Sequence, residues 1–175
     1  MGIKKIVTIS NKKLRARSEE VRQISPELRE FIKDLIDTLH SKPGLGIAAP
    51  QIGKNIRVVV IESRGVTDEE GNVVYENIPL MVLINPEIIK YSKDKVEMEE
   101  GCFSVPNIFG PVTRPKKVKV IATNLDNKKV QINAAGLLAR IIQHEVDHLN
   151  GVLFIDRVTD KATLKEVSND REPSI

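Results

Sequence analysis

"NAAGLLARIIQHEVDHLNG", Asn133 to Gly151, is the stretch on which the reading of this chain turns. Leu137, Ile141, His144 and His148 recur at the spacing of one helical face. On such a helix the two imidazoles stand one above the other, and Glu145 reaches the space beside them. The apolar residues on the same face turn the pair inward. Asn133 is expected to cap the start of this helix and Gly151 to close it.

Outward from it the hydrophobic period changes. Between Arg57 and Ile132, "RVVVIE", "LMVLINPEII", "VEMEEGCFSV", "KKVKVIATNL" and "KVQINA" are rich in β-branched residues and broken by Gly, Pro, Asn and Asp. They read as strands, the last two joined by a turn at Asp126 and Asn127. Earlier, "SPELREFIKDLIDTLHSKPG" carries Leu28, Phe31, Ile32, Leu35, Ile36 and Leu39 on one helical face. Ser25 before Pro26 starts that helix, and Pro43-Gly44 stops it. The fold class that follows is α+β: mixed or antiparallel sheets packed around a central helix bearing the HExxH pattern, with a second helix near the N-terminus. Residues 1–158 read as one catalytic domain. Residues 159–175 form a charged tail whose alternating signs suit a short helix.

Composition narrows the function classes. With 175 residues and 41% hydrophobic content, the chain can build one substantial core. Its net charge of +3 is spread without long runs of one sign, and only 3% of residues are aromatic. Neither feature favours reading of nucleic acid. The apolar runs are too short to span a membrane, and the start lacks the apolar core of a signal peptide. The single cysteine, Cys102, fits a reducing compartment, so a cytoplasmic location is expected.

Two imidazoles do not complete a catalytic metal site, which wants three protein ligands and one open position. A third histidine of the extended metalloprotease pattern would stand at 154, where the chain has Phe154. Glu166 is a distal candidate within a charged segment, and His40 reads as a helix-end residue. Cys102, in "EEGCFSVP", alternates between two readings: a small buried hydrophobe, or a thiolate at a strand end. Gly101 before it permits a bend or a close approach, and Pro106 soon ends the pairing.

Three segments together resemble the signature motifs of the peptide deformylase family: "GLGIAAPQ" (Gly44 to Gln51), "EGCFS" (Glu100 to Ser104) and "QHEVDH" (Gln143 to His148). The resemblance extends into "INP" at Ile84 to Pro86 and "HLNGVLFIDR" at His148 to Arg157, covering about residues 3 to 158. It implies Cys102, His144 and His148 as ligands of one divalent ion, Fe2+ in the cell, with Zn2+, Ni2+ or Co2+ able to substitute; ligand chemistry alone suggests zinc. It further implies a hydrolase that removes the N-formyl group from formylmethionine of nascent polypeptides and releases formate. Metal-bound water would be the nucleophile, and Glu145 the general base and then acid.

By the same resemblance Gln51 and the Phe103 N–H hold the developing oxyanion, and Arg114 pairs with Glu100. Phe103 stands where the family often has leucine. Gly44, Leu45, Gly46, Ile47, Gly101, Leu137 and Ile141 are the residues implied for substrate binding, the glycine loop by bringing its backbone close to an extended peptide. Partners implied are N-formylmethionyl peptides and a transient association with the ribosome. A metallopeptidase would share the helix and Glu145 but leave the first two motifs unexplained. A structural metal domain would need a fourth ligand, for which only His40 is spare.

Overall fold

The computed structural model describes residues 2–167. Its helices are α1 (Pro26–His40), α2 (Gly136–Leu149) and the single turn α3 (Phe154–Arg157). Eight strands accompany them: β1 (Gly46–Ala48), β2 (Val58–Thr67), β3 (Val73–Tyr91), β4 (Lys95–Cys102), β5 (Val105–Pro115), β6 (Lys117–Thr123), β7 (Lys129–Ala135) and β8 (Lys165–Glu166). Five form one sheet in the order β1-β2-β3-β6-β7, and three form another in the order β4-β5-β8. Every strand pairing in both sheets is antiparallel.

The "VVVI" run explains how the larger sheet is covered. Successive strand residues point to opposite faces. Val58 and Val60 pack with Ile32, Leu35 and Leu39 of α1, whereas Val59 and Ile61 pack with Ile141, Ile142 and Leu149 of α2. A strand buried on both faces reads as a continuous apolar run rather than an alternating one. Sheet and helices therefore form three layers, with α2 between the large sheet and the β4–β5 hairpin. Among the described residues no helix is long and apolar enough to cross a membrane.

Ser25 caps α1 as expected: its side chain accepts from the Leu28 N–H at 3.3 Å, with Pro26 next. The start of α2 differs. Asn133 is the partner of Lys119 in the β6–β7 ladder, so the chain remains a strand through Ala135. Gly136 then takes φ +57°, and the helix begins there with no side-chain cap. Strand pairing has overridden the capping preference. At the other end Gly151, φ +74°, closes α2 against Arg15, whose carbonyl oxygen would stand 2.3 Å from any Cβ at that position.

The "INP" segment also has a mechanical role. Asn85, φ +50°, turns its side chain onto both backbone groups of Val21, accepting at 2.9 Å and donating at 2.8 Å. This ties the N-terminal segment to a break in the β3 register between Ile84 and Glu87. Within the tail, Lys161–Thr163 form one 3-10 turn and Lys165–Glu166 pair with β5. Glu166 stands opposite Ile108 in that pairing. The remaining tail, residues 168–175, lies outside the described residues.

Candidate metal centre

Two elements deliver three donors to one point. The β4 strand ends on Cys102, and α2 presents His144 and His148 from the facing side. The Cys102 sulfur and the ligating atoms of both histidines lie within 4.8 Å of one another, and all three residues are buried. Cys102 Sγ is 3.2 Å from His148 Nε2, and the imidazole centroids are 5.0 Å apart. Among the described residues this is the one cluster of three such donors that could hold a metal ion. Glu166 and His40 take no part: His40 Nε2 lies 2.6 Å from Glu62 at the end of α1.

The donor set fits a tetrahedral divalent ion. Ligand bonds of about 2.3 Å to sulfur and about 2.0 Å to nitrogen imply about 3.4–3.6 Å between ligand atoms, close to the cysteine–histidine separation here. Protonation is consistent with that fit. Burial, and then the nearby His144, pull His148 well below the ordinary histidine range, leaving a neutral ring with a free lone pair. Burial would also lower His144, but Cys102 and Glu100 beside it outweigh burial and hold a proton there. A metal ion would displace that proton.

Around the donors stands a layer of charge. Glu100 Oε2 is 3.0 Å from His144 Nδ1, which orients the ring so that Nε2 faces the cluster. Arg114 grips the same carboxylate with Nε at 2.7 Å and Nη2 at 3.0 Å, as expected. Its Nη1 reaches Asp147 at 2.8 Å, and Arg157 donates to Asp147 from the other side. Burial would raise the Glu100 carboxyl, but hydrogen bonds from His144 and Arg114 hold it well below the usual carboxylate range.

Arg140, one helical turn before His144, also donates to Glu100, at 2.6 Å. The sequence reading missed this residue. Its signal was available: an arginine inside the apolar helix "GLLARII" must be buried with an acidic partner or break the helix face.

Glu145 is buried next to the donors, and its Oε2 has no hydrogen-bond partner among the described residues. Burial pushes its carboxyl up to about 7. Gln51 is fixed by its own loop, its Oε1 accepting from the Ala48 N–H at 2.7 Å. That leaves Nε2 directed at Cys102 Sγ, 3.6 Å away, and Ser104 Oγ, 3.4 Å away. Phe103 and Ser104 form the two-residue turn between β4 and β5, so the Phe103 N–H lies outside the ladder and beside the cysteine.

The glycines mark where side chains crowd the site. A Cβ on Gly44 would stand 2.0 Å from the Phe103 ring, and one on Gly46 would stand 2.7 Å from Glu145 Oε1 and 2.8 Å from Ile141. Leu45, Leu137 and Ile141 share the apolar cluster under α2. Two other residues of the expected binding set have neighbours away from the donors. The Ile47 side chain points to the opposite face of β1 and packs against α1, because Gly46 and Ala48 already occupy the α2 face. At Gly101 the space for a Cβ is taken by the Phe109 ring, 2.6 Å away, so this glycine admits Phe109.

Comparison with known proteins bears on this geometry. Residues 3–163 match the family model described as polypeptide deformylase. The peptide deformylase of Thermomicrobium roseum is 40% identical over 98% of this chain and 95% of its own length. That of Desulforudis audaxviator is 41% identical over 95% of this chain and its whole length. Among solved structures, the Synechococcus elongatus peptide deformylase in complex with actinonin has a TM-score of 0.80 at 37% identity, covering 90% of this chain and 80% of that one. A class I type b peptide deformylase from Acinetobacter baumannii, bound to Met-Ala-Ser, has a TM-score of 0.82 at 32% identity, covering 89% and 98%. The three motifs that converge on Cys102, His144 and His148 all lie within the matched region, and the chain belongs to the polypeptide deformylase family.

Proposed function

We propose that this chain removes the formyl group from N-formylmethionine of nascent polypeptides, releasing formate and a free amino terminus. The observation that carries the reading is the meeting of the Cys102 sulfur with two imidazoles one helical turn apart. Cys102, His144 and His148 would hold one divalent ion, which supplies Lewis acidity to the formyl oxygen and makes a water acidic enough, toward ~7, to be deprotonated near neutral pH.

The other groups have separate tasks. Glu145, buried beside the donors with one oxygen unpartnered, takes the proton of the attacking water and later returns it to the departing amine. As the formyl carbon becomes tetrahedral, its oxygen gains charge. Gln51 Nε2 and the Phe103 N–H are the donors that meet it, and losing one such donor typically costs ~3 kcal/mol of transition-state stabilisation. Gln51 comes ready for this task because the Ala48 N–H fixes its other end.

Binding follows from the edges of the two sheets. β1 and β4 are each the first strand of their sheet, so among the described residues each has one side with no neighbouring strand. An extended peptide can pair with such an edge, along the Gly44–Gly46 loop. Leu45, Leu137 and Ile141 offer apolar contact to the methionine side chain. The Met-Ala-Ser held by the Acinetobacter baumannii relative has the form of a deformylated product.

Fe2+ is the ion proposed for the cell, with Zn2+, Ni2+ or Co2+ as substitutes. Action on nascent chains suits a cytoplasmic enzyme in transient association with the ribosome. The test is formate release from formyl-Met-Ala by anaerobically prepared protein of measured metal content, alongside Cys102→Ala. Turnover is expected in the loaded wild type, with loss of both ion and turnover in the variant. A fully loaded wild type that frees no formate rules the reading out.

A further inference from the structure

We propose that Arg140 is a positioning residue of the metal centre, tying the helix that carries the imidazoles to the hairpin that carries the sulfur. It sits in α2, one turn before His144, and is almost fully enclosed, with 2% of its surface exposed. Nη1 donates to Glu100 Oε1 at 2.6 Å and to the Val112 carbonyl at 3.0 Å, while Nη2 donates to the Val96 carbonyl at 2.8 Å. Val96 belongs to β4 and Val112 to β5. One planar fork therefore holds both strands of the hairpin that carries Cys102 beside its turn.

Stability alone does not account for this residue. Enclosing a guanidinium is costly, and replacing a buried ion pair with apolar groups of similar volume is often neutral or stabilising. What the fork provides is geometry. Glu100 accepts from Arg114 Nε and Arg140 Nη1 on one oxygen, and from Arg114 Nη2 and His144 Nδ1 on the other. The four contacts use the lone-pair capacity of the carboxylate, leaving it one orientation. That orientation fixes the His144 ring, while the two carbonyl contacts fix the distance from α2 to the hairpin. Lysine cannot reproduce this, having a point charge in place of a planar fork.

The inference rests on the proposed metal site, and the two fail differently. Wild type, R140M and R140K are loaded with Co2+ and challenged with a chelator. Ion loss is followed by the visible absorption of the cobalt–thiolate centre, and the His144 Nδ1–H is followed by NMR. A wild type that takes up no cobalt removes the site itself. With a loaded wild type, R140M is expected to shed cobalt about ten- to a hundredfold faster, the range for lost partners of metal ligands. The Nδ1–H signal should weaken, with R140K intermediate. Should R140M not fold, R140K carries the test through its retained charge. Wild-type rates and an unchanged Nδ1–H signal in the folded variants overturn the proposal, even if their thermal midpoints fall.

Discussion

At the scale of single residues, the separation between holding the ion and moving the proton is sharp. Glu145 is adjacent to His144 yet lies outside the cluster of three donors. Glu145→Gln preserves shape and should leave the bound ion in place, while kcat falls by about two to four orders of magnitude through loss of the proton-transfer group. Elemental analysis together with formate release checks both halves. Gln51→Ala removes a donor rather than a base, so kcat should fall by about two to three orders of magnitude with metal content unchanged. The two histidines stood out as a rare residue type in a tight local pattern, whereas Cys102 stayed open between two readings until the family resemblance joined it to them. What the sequence did not show is which groups Arg140 meets, because Glu100, Val96 and Val112 lie 40, 44 and 28 residues away and come close only once the hairpin folds over α2.

Among the elements, the helices were legible where the chain punctuates itself and illegible where tertiary pairing intervened. Ser25-Pro26 is a strong local start, and the Ser25 cap forms. Ser25→Ala should therefore cost about 1 kcal/mol, read as a lower denaturation midpoint with an unchanged urea slope. Asn133 carries an equal local preference for capping, but seven consecutive β6–β7 pairs from Thr123↔Lys129 to Lys117↔Ala135 hold it in a strand. Asn133→Ala should then lack the penalty of a lost cap. The short covering strand β8 was hidden for a similar reason. Two residues carry no periodicity, and Lys165–Glu166 are strand only because the backbone of Ile108 and Phe109 offers an edge.

Over the whole molecule, the metal centre and the surface carboxylates should govern stability in different pH ranges. Asp156 is lowered below its ordinary value: burial opposes this, but hydrogen bonds from Arg15 and the Leu153 N–H prevail. A depressed folded-state carboxylate contributes stability above its unfolded value, about 4, and loses it as pH falls through the lower folded value. Asp156→Asn should accordingly flatten the decline in stability below about pH 4. The metal contribution should be lost sooner as pH falls, above the Asp156 range, because ligation needs neutral imidazoles and a thiolate. At neutral pH an ion that binds the folded chain alone stabilises it by about 2.7 kcal/mol at a free concentration of a hundred times Kd. For a domain of this size that is a rise of roughly 5–11 °C in Tm. Melts with and without added ion should show this rise in the wild type and little of it in Cys102→Ala. An equal rise in both would mean that the ion binds somewhere other than the Cys102, His144 and His148 cluster.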